Sequence, residues 1–242
     1  MASVIVEGGV PRARAARSPF YVAVSLLIVA IVLAGFGPSF YRIAVTTQPL
    51  PWIMHVHGAI YLGWLALLVC QTVLAARGKI AAHRRVGAFG IGYAVLVWSI
   101  GVFVSFYAPA LHVRNGEWDF ARAVTFMPIP LGDMVLFGGF FGAAVAYRRQ
   151  PEIHKRLVVL ACIAVAFAGA FRLQYVASTP VQIAVWFTPL LAAMIYDRYK
   201  LGRVSPVYWI GAPILGLALL RIPFGATEFW HAIGGPLLAP WV

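Results

Sequence analysis

Acidic residues are scarce in this sequence, seven Asp and Glu against nineteen Lys and Arg in 242 residues. Charge of either sign is scarce as well: 11% of residues, where an ordinary soluble domain has about a quarter. So little polar surface cannot coat a globule, and a water-soluble fold is excluded. The two cysteines, Cys70 and Cys162, both fall inside apolar runs. No disulfide framework is expected from them, and each reads as a small buried hydrophobe. There is no Walker loop, no GxGxxG ahead of a helix, no HExxH and no GxSxG, which removes the common nucleotide, zinc-protease and serine-hydrolase chemistries. Six histidines are too few for the large histidine set of a membrane di-iron hydroxylase. The last apolar run has no lysine to form a retinal Schiff base. An ion-coupled pump would find few proton carriers beyond Asp133 and the histidines.

Hydrophobic residues make up 62% of the chain and fall in successive runs, several of them 17 to 25 residues long and so long enough to cross a bilayer core. The expected fold is an all-α integral membrane protein with about seven transmembrane helices, at 20–36, 52–76, 86–108, 124–147, 157–177, 181–196 and 207–222. The runs and their connections use nearly the whole chain, so 1–242 reads as a single membrane domain. The first run has a possible signal-peptide cleavage point after Ala34, but its length favours an uncleaved anchor. Residues 1–18 read as a cytoplasmic segment. Residues 223–242, rich in aromatics and proline, read as an extracytoplasmic interfacial or re-entrant tail.

The net charge of +12 does not point to nucleic acid, because no recognition motif accompanies it. The cations lie in short clusters between apolar runs. The N-terminal segment and the connections after spans two, four and six hold 14 of the 19 Lys and Arg; the others are Arg42, Arg114, Arg122, Arg172 and Arg221. Alternate connections thus carry the excess. This predicts a bacterial inner-membrane protein with its N-terminus in the cytoplasm and its C-terminus outside, its basic turns facing anionic lipid. Spans 2–3 and 4–5 then form two hairpins of like orientation, a parallel repeat. The sequence repeats as well: ARGKIAAHRRVG is answered 71 residues later by YRRQPEIHKRLV. In each, an arginine (Arg77, Arg148) stands six residues before a histidine (His83, His154) that opens a new apolar run.

Polar residues sort by depth at about 1.5 Å per helical residue. His55, His57, Asp133, Arg172 and Arg221 fall in the outer half, and His83 and His154 at the inner boundary beside Gln71. On the second span His57, Tyr61, Trp64, Leu68 and Gln71 share one face. His55 points elsewhere, since an HxH pair on a helix cannot clamp one metal ion. His57 can belong to a pocket or be a hydrogen-bonded core residue. On the fifth span His154, Val158, Ala161, Val165, Ala168 and Arg172 form a stripe. An arginine in lipid needs a partner, and the expected one is Asp133 on the preceding span. That pair is either structural or, with His57, an outer polar pocket for a proton or an anchor for a carboxylate or quinone head group, which Gln174, Gln182 and Arg221 can join. On the third span His83, Gly87, Gly90, Ala94, Val97, Trp98 and Gly101 share a face whose small residues admit a close neighbour or a flat macrocycle. If the repeat is real, His83 and His154 face each other across a gap. Two histidines on separate helices can ligate haem b; alternatively each only marks a polar helix start beside lipid phosphate.

The HxHG motif followed by W and QT, then HRxxG, then PExHKRL after a proline-led helix with an aspartate, resembles an uncharacterised family of bacterial multi-pass membrane proteins, over about 51–172. The architecture is also similar to the cytochrome b561 type. That resemblance implies histidine pairs holding haem and electron transfer between ascorbate or quinol and an acceptor. Those cytochromes carry matched pairs at both depths, whereas here His83 and His154 are the one matched pair. Three functions are expected to compete. The first is electron transfer through haem b or a quinone, with His83 and His154 as axial ligands and His57, Asp133 and Arg172 as the outer pocket. The second is a non-enzymatic accessory subunit or assembly factor within a larger membrane complex. The third is a small-solute transporter.

Overall fold

The computed structural model describes residues 18–45, 50–175 and 177–242, with backbone alone at 39–45 and 174–175. The segment carrying Arg12, Arg14 and Arg17, and the side chains of Arg42 and Gln174, lie outside the described residues. Among those described, every regular element is helical and seven helices are long and apolar enough to cross a membrane. The chain is therefore an all-α multi-pass membrane protein. In chain order the elements are α1 Phe20–Val45, α2 Trp52–Ala76, α3 Ile80–Arg114, α4 Phe120–Phe126, α5 Pro128–Ala146, α6 Pro151–Phe171, α7 Thr179–Leu201, α8 Pro206–Leu217, α9 Arg221–Phe224 and α10 Glu228–Leu238. In lipid a backbone must satisfy its own hydrogen bonds, so helix continues past the apolar runs into polar sequence. Hence α3 reaches 35 residues, well beyond the 86–108 run, and α1 continues through Pro38.

Helix α6 is the axis of the bundle. It packs against α1, α5, α7 and α8, and most of its residues are buried. Small residues set the closest approach. A Cβ at Gly35 would overlap the Gly169 carbonyl, and one at Gly169 would lie 2.7 Å from Val32 Cα. Helices α1 and α6 therefore cross backbone on backbone, where only glycine fits. Elsewhere the core is aromatic. Trp186 donates Nε1 to the Ile163 carbonyl at 2.7 Å and meets Phe167 edge to face, and Trp64 meets Phe137 and Phe141 in the same manner.

The hairpins α2–α3 and α5–α6 turn at the same end of the molecule. The first turns at Gly78 (φ +68°), a left-handed conformation that glycine adopts without a Cβ clash. The second turns at 147–150, and Pro151 opens α6, where a missing N–H costs nothing. The α7–α8 connection joins them there, since Phe20 stacks on Tyr196 at 3.8 Å and Arg156 bonds Asp197. The basic connections described thus gather at one end, here the turn end.

At the far end, α4 and α10 build a second small core around Met127, Val124 and Leu238. Trp230 donates Nε1 to the Val124 carbonyl at 2.8 Å, and Arg114 donates to the Trp241 carbonyl at 3.1 Å. The connection before α4 is capped by Asp119, which accepts from the Arg122 N–H at 2.7 Å. Beside it the exposed Glu117 carboxyl is held below its ordinary value by hydrogen bonds from His112 and Asn115.

Candidate functional site

The repeated hairpins bring His83 and His154 together. Their ring centroids are 6.4 Å apart with planes at 83°. Each ring is anchored by the helix before its own. His83 Nδ1 lies 3.3 Å from the Gln71 carbonyl on α2, and His154 Nδ1 lies 2.8 Å from the Ala144 carbonyl on α5. A carbonyl oxygen only accepts, so each Nδ1 carries the proton, and in a neutral ring Nε2 keeps the lone pair. This carbonyl support is the one that metal-ligating histidines generally have. The Gln71 side chain lies beside Gly87, and its Oε1 is buried without a partner. Around the pair stand Arg77, Lys79, Arg84, Arg85, Arg148 and Arg149, all exposed.

This donor set fits haem b. Two neutral imidazoles on separate helices are the donors such a group would use, and His83 and His154 would hold it through Nε2. The cations suit the carboxylates of such a group. A bare metal ion fits less well: among the described residues no group of three or more His, Cys, Asp or Glu side chains is placed to hold one.

At the far end the expected Asp133–Arg172 pair does not form. Asp133 Oδ1 accepts instead from Arg221 Nη2 at 2.6 Å, with both side chains at least nine-tenths buried. The reason is local. Helix α6 ends at Phe171 and tightens into a 3₁₀ turn, Arg172–Tyr175, which breaks the 3.6-residue stripe that would carry Arg172 inward. Arg172 is exposed and lies over the Phe36 ring at 4.5 Å. Arg221 comes back into the bundle from the last span. Its side chain packs on Gly132, where a Cβ would lie 2.7 Å from Arg221 Cδ, and its guanidinium sits 4.3 Å over the Phe167 ring.

His57 belongs to this end. Its ring is 4.4 Å from Tyr61, and the Tyr61 hydroxyl lies 3.4 Å from Met134 Sδ, next to Asp133. Among the described residues His57 Nδ1 is buried without a partner, while His55 is exposed. Gln182 is buried but donates to the Ala177 carbonyl beside its own helix start.

The largest buried ionic group was not foreseen. Asp197, expected in a connection, lies inside α7, fully buried, and takes two hydrogen bonds from Arg156. Arg156 also donates Nη1 to Glu152 Oε2 at 2.8 Å, and Asp197 accepts from the Ser205 N–H at 3.2 Å. The signal available was Asp197 itself, a lone acid bordering a basic connection. No family model matches the chain, and neither a curated protein nor a solved structure matches it.

Proposed function

We propose that this protein is a membrane electron-transfer protein that holds haem b between His83 and His154. The observation that carries the reading is the pair of neighbouring imidazoles, set edge to face, each with Nδ1 on a main-chain carbonyl so that its Nε2 keeps a lone pair for a ligand bond. Bound haem supplies one-electron chemistry. The chain's own part is to fix both rings, raise the basicity of their Nε2 atoms through the carbonyl bonds and offer cations to the carboxylates. An arrangement made only for a polar helix start has no need to support two imidazoles in this matched way.

The turn end, where the basic connections gather, is assigned to the cytoplasmic face of a bacterial inner membrane by the positive-inside tendency. The N-terminus is then inside and the C-terminal helix α10 lies at the outer interface. Alkaline phosphatase fused at the C-terminus is expected to be active, and an inactive fusion with a fluorescent C-terminal GFP would reverse the orientation.

The deciding test of function is a visible spectrum of the detergent-purified protein from haem-replete cells, before and after dithionite. A sharp reduced α band supports the reading. A colourless protein overturns it and moves the weight to an accessory subunit of a larger complex.

A further inference from the structure

The guanidinium of Arg221 is held in the bundle with most of its hydrogen-bonding capacity unused. Its Nη2 bonds Asp133, while Nε and Nη1 are buried without partners among the described residues. His57 Nδ1, linked to this pair through Tyr61 and Met134, is a third unpartnered atom. Buried N–H donors without acceptors carry a desolvation penalty, and intramembrane charges generally mark a ligand or ion path. The far end is therefore built to receive hydrogen-bond acceptors from something other than this chain.

Three features narrow the chemistry. Asp133 and Arg221 already neutralise each other, so a neutral carbonyl meets the free guanidinium N–H groups without adding charge to the buried pair, and the charge of Arg172 that reaches His57 comes from an exposed side chain. The surroundings are aromatic: Phe167 lies under the guanidinium, Phe171 stacks on Phe167 at 4.0 Å, and Tyr61 flanks His57. The approach is through lipid, since Leu220, Ile222 and Phe224 beside Arg221 all turn apolar surface outward. We propose that the Asp133–Arg221–His57 end binds a lipid-soluble, neutral ring carbonyl of the quinone class, its oxygens accepting from the free guanidinium N–H groups and from His57. Binding does not depend on the haem reading, although the two together would place an electron carrier and a quinone in one bundle.

The test is a titration of the detergent-purified protein with decylubiquinone, followed by quenching of tryptophan fluorescence. Decanoate serves as the anionic comparison. Saturable quenching by decylubiquinone, not displaced by decanoate, is expected. Arg221→Lys keeps the charge opposite Asp133 but removes the fork of donors, and should weaken binding roughly tenfold, equivalent to about 1.4 kcal/mol. His57→Phe should also weaken binding and serves if the lysine variant does not fold. The proposal is overturned by absence of saturation in the wild type, by decanoate binding in preference, or by unchanged affinity in a folded variant. Protein prepared with and without added δ-aminolevulinate separates the two readings. Colourless protein that binds the quinone removes only the haem, and coloured protein that does not bind it removes only this site.

Discussion

Arg156 grips Asp197 with two hydrogen bonds, Nε to Oδ2 at 2.8 Å and Nη2 to Oδ1 at 2.5 Å, and the two side chains are 2% and 0% exposed. The pair ties the start of α6 to the end of α7, and through the Ser205 N–H it also holds the start of α8. Removing Asp197 leaves the buried Arg156 with only the more exposed Glu152 carboxylate opposite it. Asp197→Ala is therefore expected to destabilise the protein by about 3–5 kcal/mol, read as a lower midpoint of thermal unfolding in detergent. The double variant Arg156→Met/Asp197→Leu should recover most of the loss. A single variant as stable as the wild type would show that the pair is not what joins these three helices.

The partner of Asp133 can be tested by comparing two arginines. Arg221→Ala leaves a carboxylate alone inside the bundle and is expected to cost several kcal/mol. Arg172→Ala removes an exposed side chain and leaves the buried Asp133–Arg221 pair intact. Unfolding midpoints of the two variants, measured side by side in one detergent, should therefore differ clearly. If Arg172→Ala proved the more damaging, the Asp133–Arg221 assignment would fall.

The crossing of α1 and α6 offers a third comparison. At Gly169 a Cβ would lie 2.7 Å from the Val32 Cα, whereas at Gly37 nothing lies within 4 Å. Gly169→Val should force the helices apart, at a cost of about 1–3 kcal/mol or more, and Gly37→Ala should be neutral or slightly stabilising. The yield of monodisperse protein and its melting temperature report both. Equal tolerance at the two positions would mean that α1 and α6 do not cross backbone on backbone.

What could be read in the sequence follows from the physics involved. The spans were legible because apolar runs long enough for a bilayer have little other use, and because the clusters at Arg77–Arg85 and Arg148–Arg156 punctuate them. The equal depth of His83 and His154 was legible for a related reason, since two copies of one hairpin place equivalent residues alike, but their approach was not, because it turns on how the two hairpins pack. Helix ends were not legible. A chain in lipid stays helical for the sake of its backbone, so α3 runs on through His112 and Arg114. Partner choice was not legible either. Asp133 had two arginines at suitable depth, Arg172 and Arg221, and the choice turned on a 3₁₀ turn after Phe171 and on a glycine, Gly132, that admits Arg221. Arg156 was hidden because it sits among lipid-facing cations, and only the packing of α7 shows that it turns inward.

The histidine pair carries the last prediction. If each imidazole supplies one axial bond, His83→Ala and His154→Ala should each abolish the sharp reduced α band, since one remaining ligand leaves the iron high-spin or the haem unbound. His55→Ala, an exposed position at the other end of α2, should leave the band unchanged. A purely structural role is separated by chemical rescue. In His154→Gly, added imidazole can fill the missing ring's place and supply its nitrogen, so the band should return with saturable dependence on imidazole. Loss of the band without rescue in a folded variant, with the same elution volume as the wild type, would mean that His154 only supports the helix start. A band that survived both alanine variants would move the ligands elsewhere. The support that Gln71 and Ala144 give to the two rings would then be a matter of packing alone.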